Sequence, residues 1–340
     1  MKLKHPLPTT VIGSYSRPKW LDLALLNRKK GLLTDAQLQE AFDHAVRSAI
    51  HDQELAGIDY ISDGELRRET MVYFYSRNIH GFQFDGKLRA IGNLDSHIRM
   101  PDPVVVSKVR RKKIPMAEHF TFLRDHCIRS TPKVCCTGPH MIAKRAENRA
   151  YKTDKELVFD LADIINAELK RIEAQGCRCI QIDEPVWIGY PDEMGWCVEA
   201  FNRTVRGLKS FIAVHVCFGN YLGKQLFHGK LESLFPAILG VNAHCLSFEY
   251  ARLGFWQLDV FKKHQWRGHL CAGVVDVKNN VIETPQLVAR RIRKVLEYFP
   301  ADKVILAPDC GLKFRPRALA FGKLKALAEG AALVRSKLER

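Results

Sequence analysis

Residues 211–220 read FIAVHVCFGN: an apolar run, sized like a buried strand, carrying a histidine and a cysteine just before a Gly-Asn break. Side chains on a strand alternate faces with period two, so His215 and Cys217 point the same way. An imidazole beside a thiol is the start of a zinc site, whereas each residue alone is a common occupant of a protein core. Two further candidates end apolar runs elsewhere: Glu249 closes AHCLSFE (243–249), and Cys310 follows VILAPD (304–309). Zinc accepts nitrogen, sulfur and carboxylate donors in a tetrahedron, with Zn–S about 2.3 Å. Two thiolates, one carboxylate and a neutral imidazole would leave such a site with a net charge of about −1. That zinc is a poor activator of water but well suited to holding a substrate thiol as thiolate. A free thiol, with pKa about 8.5, is only a few per cent ionised at neutral pH. Glu249, the hardest base of the set, is the ligand an incoming sulfur would displace.

Donors so far apart in sequence need a scaffold that brings strand ends together. Eight β-type runs occur: TTVIG (9–13), IDYISD (58–63), KVCCT (133–137), CIQID (179–183), residues 211–217, AHCLSFE (243–249), LCAGVVD (270–276) and VILAPD (304–309). Amphipathic segments lie between them, with apolar residues recurring at three and four, as over 35–56 and 155–175. Residues 284–299 begin with a threonine cap and a proline in the first helical position. Alternating strands and helices predict parallel pairing, and eight strands predict an α/β fold of the (β/α)₈ TIM-barrel type. Residues 1–340 are expected to form a single catalytic barrel, with a long insertion after the second strand, about 71–115, placed as a lobe over one mouth. Active sites of such barrels lie at the C-terminal ends of the strands. Those ends carry Gly13-Ser14, Asp63-Gly64-Glu65, Thr137-Gly138-Pro139, Asp183-Glu184-Pro185, Asp276 to Lys278 and Asp309-Cys310.

Composition bounds the function. The 340 residues are 46% hydrophobic and 26% charged, which describes a soluble globular protein. No run is long enough for a membrane span, and the start MKLKHPLPTT lacks the apolar stretch of a signal peptide, so a cytoplasmic location is expected. The ten cysteines then read as reduced thiols. Cys177 and Cys179 are expected in the core, and Cys135 and Cys136 on opposite faces of a strand. The net charge of +16 attracts anionic partners, and its densest piece is KVRRKK (108–113). No zinc finger, RNA-binding strand motif or basic zipper accompanies it, so nucleic acid is not an expected partner. A basic nucleic-acid binder on a barrel scaffold and a non-catalytic thiol or zinc carrier are the readings outside catalysis.

The same residues resemble the cobalamin-independent methionine synthase family, in its catalytic barrel. His215-x-Cys217, Glu249 and Cys310 within PDCGLK are similar to that family's zinc site. IGSY (12–15), GELRRETMVYFY (64–75), Thr137-Gly138-Pro139 and IQIDEP (180–185) resemble its pocket motifs in the same order. The resemblance implies a short form without the duplicated N-terminal barrel, zinc as cofactor, and homocysteine as acceptor. It also implies that Glu65 and Asp183 meet the acceptor's amino group, while the turn Ile12, Gly13 and Ser14 meets its carboxylate. Two positions depart from the pattern. GVVDVK (273–278) carries Lys278 where full-length members place an acid/base histidine, and Arg145 stands where they place a pterin-stacking tryptophan. A folate leaving group needs a proton at its ring nitrogen, whereas cobalt(I) leaving a methylcorrinoid needs none. The expected donor is therefore a methylcorrinoid or corrinoid protein, with Lys278 and Asp276 as catalytic candidates. Lys278 is expected to act through charge, orienting an anionic part of the donor or the carboxylate of Asp276. A methylfolate-dependent methionine synthase, or a zinc-dependent alkyltransferase that opens epoxides with coenzyme M, are the alternatives.

Overall fold

The computed structural model describes residues 5–90 and 99–338. Six strands form one parallel sheet, in sequence order from Val134–Thr137 through Cys179–Asp183, Phe211–Val216, Cys245–Glu249 and His269–Val275 to Val304–Pro308. The second strand, Tyr60–Ile61, pairs in parallel with Thr131–Pro132, the start of the third. The expected first strand is reduced to Thr9 and Thr10, which bridge to Leu306 and to Tyr60 respectively. Thr10 N–H donates to Leu306 O at 2.8 Å, and Tyr60 N–H donates to Thr9 O at 3.0 Å. Backbone hydrogen bonds thus pass from each strand to the next around a ring of eight, the arrangement expected of a (β/α)₈ barrel.

The register follows from burial. The barrel strands are buried along nearly their whole length and lie between an inner and an outer apolar layer. Tyr60, Cys179, Phe211, Cys245, Cys271 and Ile305 fill the inside, and a separate larger cluster packs the outside against the helices. Helix Asp35–Leu55 starts at a capping box between Thr34 and Gln37. Asp154–Ala174 is capped by Thr153 and Pro285–Leu296 by Thr284, which stabilise each start by about 1 kcal/mol. Among the described residues no helix is long and apolar enough to cross a membrane.

The insertion after the second strand contains helix Tyr73–Arg77 and two antiparallel pairs. Ile79–Gln83 pairs with Val104–Arg111, and Leu88–Ala90 pairs with Arg99–Pro101. Residues 91–98, inside the expected lobe, lie outside the described residues. Lys108, Arg110 and Arg111 of KVRRKK project to solvent from the long strand of this lobe.

Candidate active site

A cavity of about 190 Å³ opens at the C-terminal ends of the strands, lined by Ile12, Ser14, Glu65, Asp183, His215, Cys217 and Cys310 among others. Met71, Tyr73 and Met100 of the insertion also line it.

His215, Cys217 and Cys310 offer donor atoms within 4.8 Å of one another, and the two sulfurs lie 3.6 Å apart. In the parallel register His215 lies opposite Ser247, whose hydroxyl meets imidazole Nδ1 at 3.2 Å. Nε2 is buried and has no hydrogen-bond partner. A buried imidazole nitrogen left open between two thiols is what a metal ligand needs, with the other nitrogen held by a neighbour. The thiols share charge unequally. The hydrogen bond from Cys217, with help from His215 and Lys278, holds the Cys310 thiol well below its ordinary pKa, while Cys217 is pushed well above. These three residues fit a zinc ion.

Glu249, the fourth expected ligand, has a cationic neighbour. It ends its strand beside the three donors but outside their group, and both its oxygens accept from Lys278 Nζ, at 2.8 and 3.0 Å. Neither side chain has any exposed surface. Removing one partner of such a pair costs about 3–5 kcal/mol, because the other charge stays buried alone. Lys278 therefore orients Glu249 and not the Asp276 carboxylate. Asp276 Oδ1 instead accepts the backbone N–H of Lys278 at 2.7 Å, a local turn. Neither Lys278 nor Asp276 lines the cavity.

The acidic pair is brought together from two strands. Asp183 is raised to about 7 by burial and by the nearby Glu65, against the pull of His215. Burial also raises Glu65, opposed by Arg68, whose Nη1 lies 3.6 Å from Glu65 Oε1. The Glu65 backbone sits at φ 56°, held by its N–H donating to Asp63 Oδ1 at 2.9 Å. A non-glycine residue there stores about 1–3 kcal/mol of strain, a pattern met where a side chain must be aimed. Gly13 supplies room rather than a contact: a Cβ on it would run into Glu65 Oε1 and Cys135.

Several residues that position the site escaped the sequence reading. Gln181 donates to Asp183 Oδ1 at 2.6 Å and also to Ile12 O, while Lys133 Nζ donates to Gln181 Oε1 at 2.8 Å. The signal for Gln181 was its spacing, two residues before Asp183 and so on the same face. Asp309 accepts from the backbone N–H groups of Tyr250, Ala251 and Arg252, fixing the loop after Glu249 beside Cys310. Glu184, grouped with Asp183 as a rim carboxylate, turns away and caps helix Pro139–Lys144 through the N–H groups of His140 and Met141. His140 packs against Trp196 and pairs with Glu193. Arg145 forms a buried ion pair with Asp102 while still lining the cavity.

Residues 7–333 match the family described as cobalamin-independent synthase, catalytic domain. A methionine synthase of Sulfurisphaera tokodaii is 39% identical over 333 residues, 98% of this chain and 94% of the relative. One from Saccharolobus islandicus is 40% identical over 334 residues, covering 98% and 96%. Among solved structures, a B12-independent methionine synthase from Shewanella sp. W3-18-1, in complex with selenomethionine, is 29% identical. It superposes with a TM-score of 0.88 over 98% of this chain and 99% of that one. A putative vitamin-B12 independent methionine synthase from Listeria monocytogenes, at 19% identity and a TM-score of 0.75, shares the fold. With the family match spanning the barrel and the pocket motifs falling around one cavity, the chain belongs to the cobalamin-independent methionine synthase family.

Proposed function

We propose that this protein transfers a methyl group to the sulfur of homocysteine, forming methionine, with zinc held by His215, Cys217 and Cys310 and with Glu249 beside them as the expected fourth donor. The observation that carries this reading is the open Nε2 of His215 among two thiols, in a cavity that also presents Glu65 and Asp183. The curated relatives are named methionine synthase, and the Shewanella structure holds selenomethionine, a methionine analogue.

Bound zinc would supply an electrophilic seat that lowers the pKa of the acceptor thiol. The chain's own residues do the rest. Glu65 and Asp183 receive the acceptor's ammonium, whose arrival favours the ionised form of carboxyls that burial holds upward. The turn at Ile12 to Ser14 receives its carboxylate. Gln181 keeps the Asp183 carboxylate aimed, and Arg68 balances Glu65. Met71, Tyr73, Phe227 and Phe314 give the cavity apolar walls that keep water from the sulfur. A thiol without an amino group, such as coenzyme M, would bring no ammonium to offset the burial of Asp183 beside Glu65.

The family's description as cobalamin-independent stands against the methylcorrinoid expected from the sequence and favours a methylfolate donor. Two observations favour a corrinoid as the second reading. Lys278 is bound to Glu249, away from the cavity lining, and Arg145 is paired with Asp102 where stacking on a pterin would be needed. The test is zinc content per chain by elemental analysis, followed by methionine formation with methyltetrahydrofolate and with methylcobalamin, each with and without a chelator. Stoichiometric zinc and chelator-sensitive methionine formation are expected, and the faster donor decides between the two. A metal-free protein, or no methionine from either donor, overturns the reading.

A further inference from the structure

Lys133 immediately precedes strand Val134–Thr137, and its side chain is buried inside the barrel among Tyr60, Cys179, Phe211, Cys245 and Cys271. Among the described residues no carboxylate pairs with its ammonium directly. A charge in such surroundings is costly unless hydrogen bonds offset its lost hydration. Nζ donates to Val11 O and, at 2.8 Å, to Gln181 Oε1. Gln181 Nε2 in turn donates to Asp183 Oδ1 at 2.6 Å and to Ile12 O.

The cation decides which way the amide faces. An ammonium has donors and no acceptor, so it meets only the carbonyl end of Gln181, and the NH₂ end is left for Asp183 and Ile12. Turned over, the amide would set its NH₂ against the ammonium and its oxygen against a carboxylate. Two arms therefore leave one buried charge. The first runs through Gln181 to Asp183. The second fixes the backbone that enters the turn at Ile12 to Ser14, because Lys133 holds the carbonyl of Val11 and Gln181 holds that of Ile12.

Resting on the reading of Asp183 as a seat for the acceptor's ammonium and of the 12–14 turn as the seat for its carboxylate, we infer that Lys133 is a positioning residue that fixes the spacing between the two seats. It thereby sets the preference for a thiol that carries both groups of an α-amino acid. A thiol with only one of the groups can shift to suit either seat alone, whereas homocysteine must fit both at once.

The experiment measures kcat/KM for methylation of homocysteine, of 3-aminopropane-1-thiol, which lacks the carboxylate, and of 4-sulfanylbutanoate, which lacks the amino group. Wild type is compared with K133M and with the double variant K133M/Q181L, and zinc content is measured in each. Wild type should prefer homocysteine to both analogues. In K133M that preference should shrink by about tenfold, the scale of one lost hydrogen bond to a charged group, through a fall with homocysteine and little change with the analogues. Zinc content should stay at the wild-type level. If K133M fails to fold, the double variant decides, because it leaves no polar end of Gln181 buried without a partner, and it should lose the preference at least as far. An undiminished preference in the variant that folds, an equal loss with all three thiols, or a loss of zinc would overturn the inference. Wild type that methylates homocysteine no better than the two analogues would instead defeat the reading of the two seats, and the inference with it.

Discussion

Cys310 is the donor whose removal tests the metal site most directly, because it sits on a loop after its strand and not in the barrel wall. Cys310→Ser replaces a thiolate by a hydroxyl, a poor zinc ligand. Loss of outer-shell partners already costs about 10–100-fold in metal affinity, so loss of this donor should cost more. Elemental analysis should find the variant depleted of zinc with its far-ultraviolet circular dichroism unchanged, and full zinc content would show the site to be misassigned. Asp183→Asn removes one charge at nearly constant shape. Hydrogen bonds to charged groups contribute about 1.5–3 kcal/mol, so the homocysteine KM should rise about tenfold to a hundredfold. Zinc content should not move. Gln181→Leu should shift KM in the same direction by less, since it only loosens the aim of Asp183 and of the Ile12 carbonyl. A KM unaffected in both variants would remove the acidic pair from substrate binding. The pairing of His215 with Cys217 was readable because period two fixes which side chains share a face. Lys278 was misread because nothing along the chain says which carboxylate an ammonium will meet: Asp276 is two residues away and Glu249 twenty-nine.

The elements differ in how clearly their residues announce them. Helices Asp35–Leu55 and Pro285–Leu296 carry threonine caps and periodic apolar faces, and they fall close to where those signals place them. The strand Cys179–Asp183 coincides with its apolar run, because both of its faces are buried and every position favours an apolar or hydrogen-bonded residue. The first strand is shorter than its run TTVIG, since beyond Thr10 the chain leaves the ladder to form the turn that lines the cavity. The short helix Pro139–Lys144 has its first N–H groups satisfied by a carboxylate from the next strand end, Glu184. Glu184→Gln keeps one acceptor oxygen and turns an amide NH₂ toward the other N–H. An unsatisfied buried group costs about 1–3 kcal/mol, so urea unfolding should show a loss of that size, with zinc content and homocysteine KM near wild type. A variant of unchanged stability but crippled catalysis would mean that Glu184 belongs to the chemistry and not to the helix.

At the scale of the whole molecule the pocket depends on close approach between chain segments that are distant in sequence. Gly13 faces Glu65 and Cys135, from the second and third strands, with no room for a methyl group. Gly13→Ala should push Glu65 from its position and raise the homocysteine KM by up to about a hundredfold, the cost of roughly an ångström of misplacement, while zinc content stays at the wild-type level. Equal kinetics in wild type and variant would show that the turn yields without moving Glu65. The net charge of +16 has a visible part on the insertion, where Lys108, Arg110 and Arg111 stand in solvent, and it takes no part in the metal cluster. What the sequence by itself determined was the alternation of strands and helices, the shared face of His215 and Cys217, and the set of polar residues at strand ends. All of these follow from local periodicity and from the burial of apolar surface. Only the tertiary structure decided which of those polar residues meet. It placed Cys310 beside Cys217 and Glu65 near Asp183, turned Glu184 onto a helix and gave Glu249 to Lys278. Those pairings depend on ring closure and on which buried charge finds its counter-charge, quantities that exist only once distant segments share a volume closed to water.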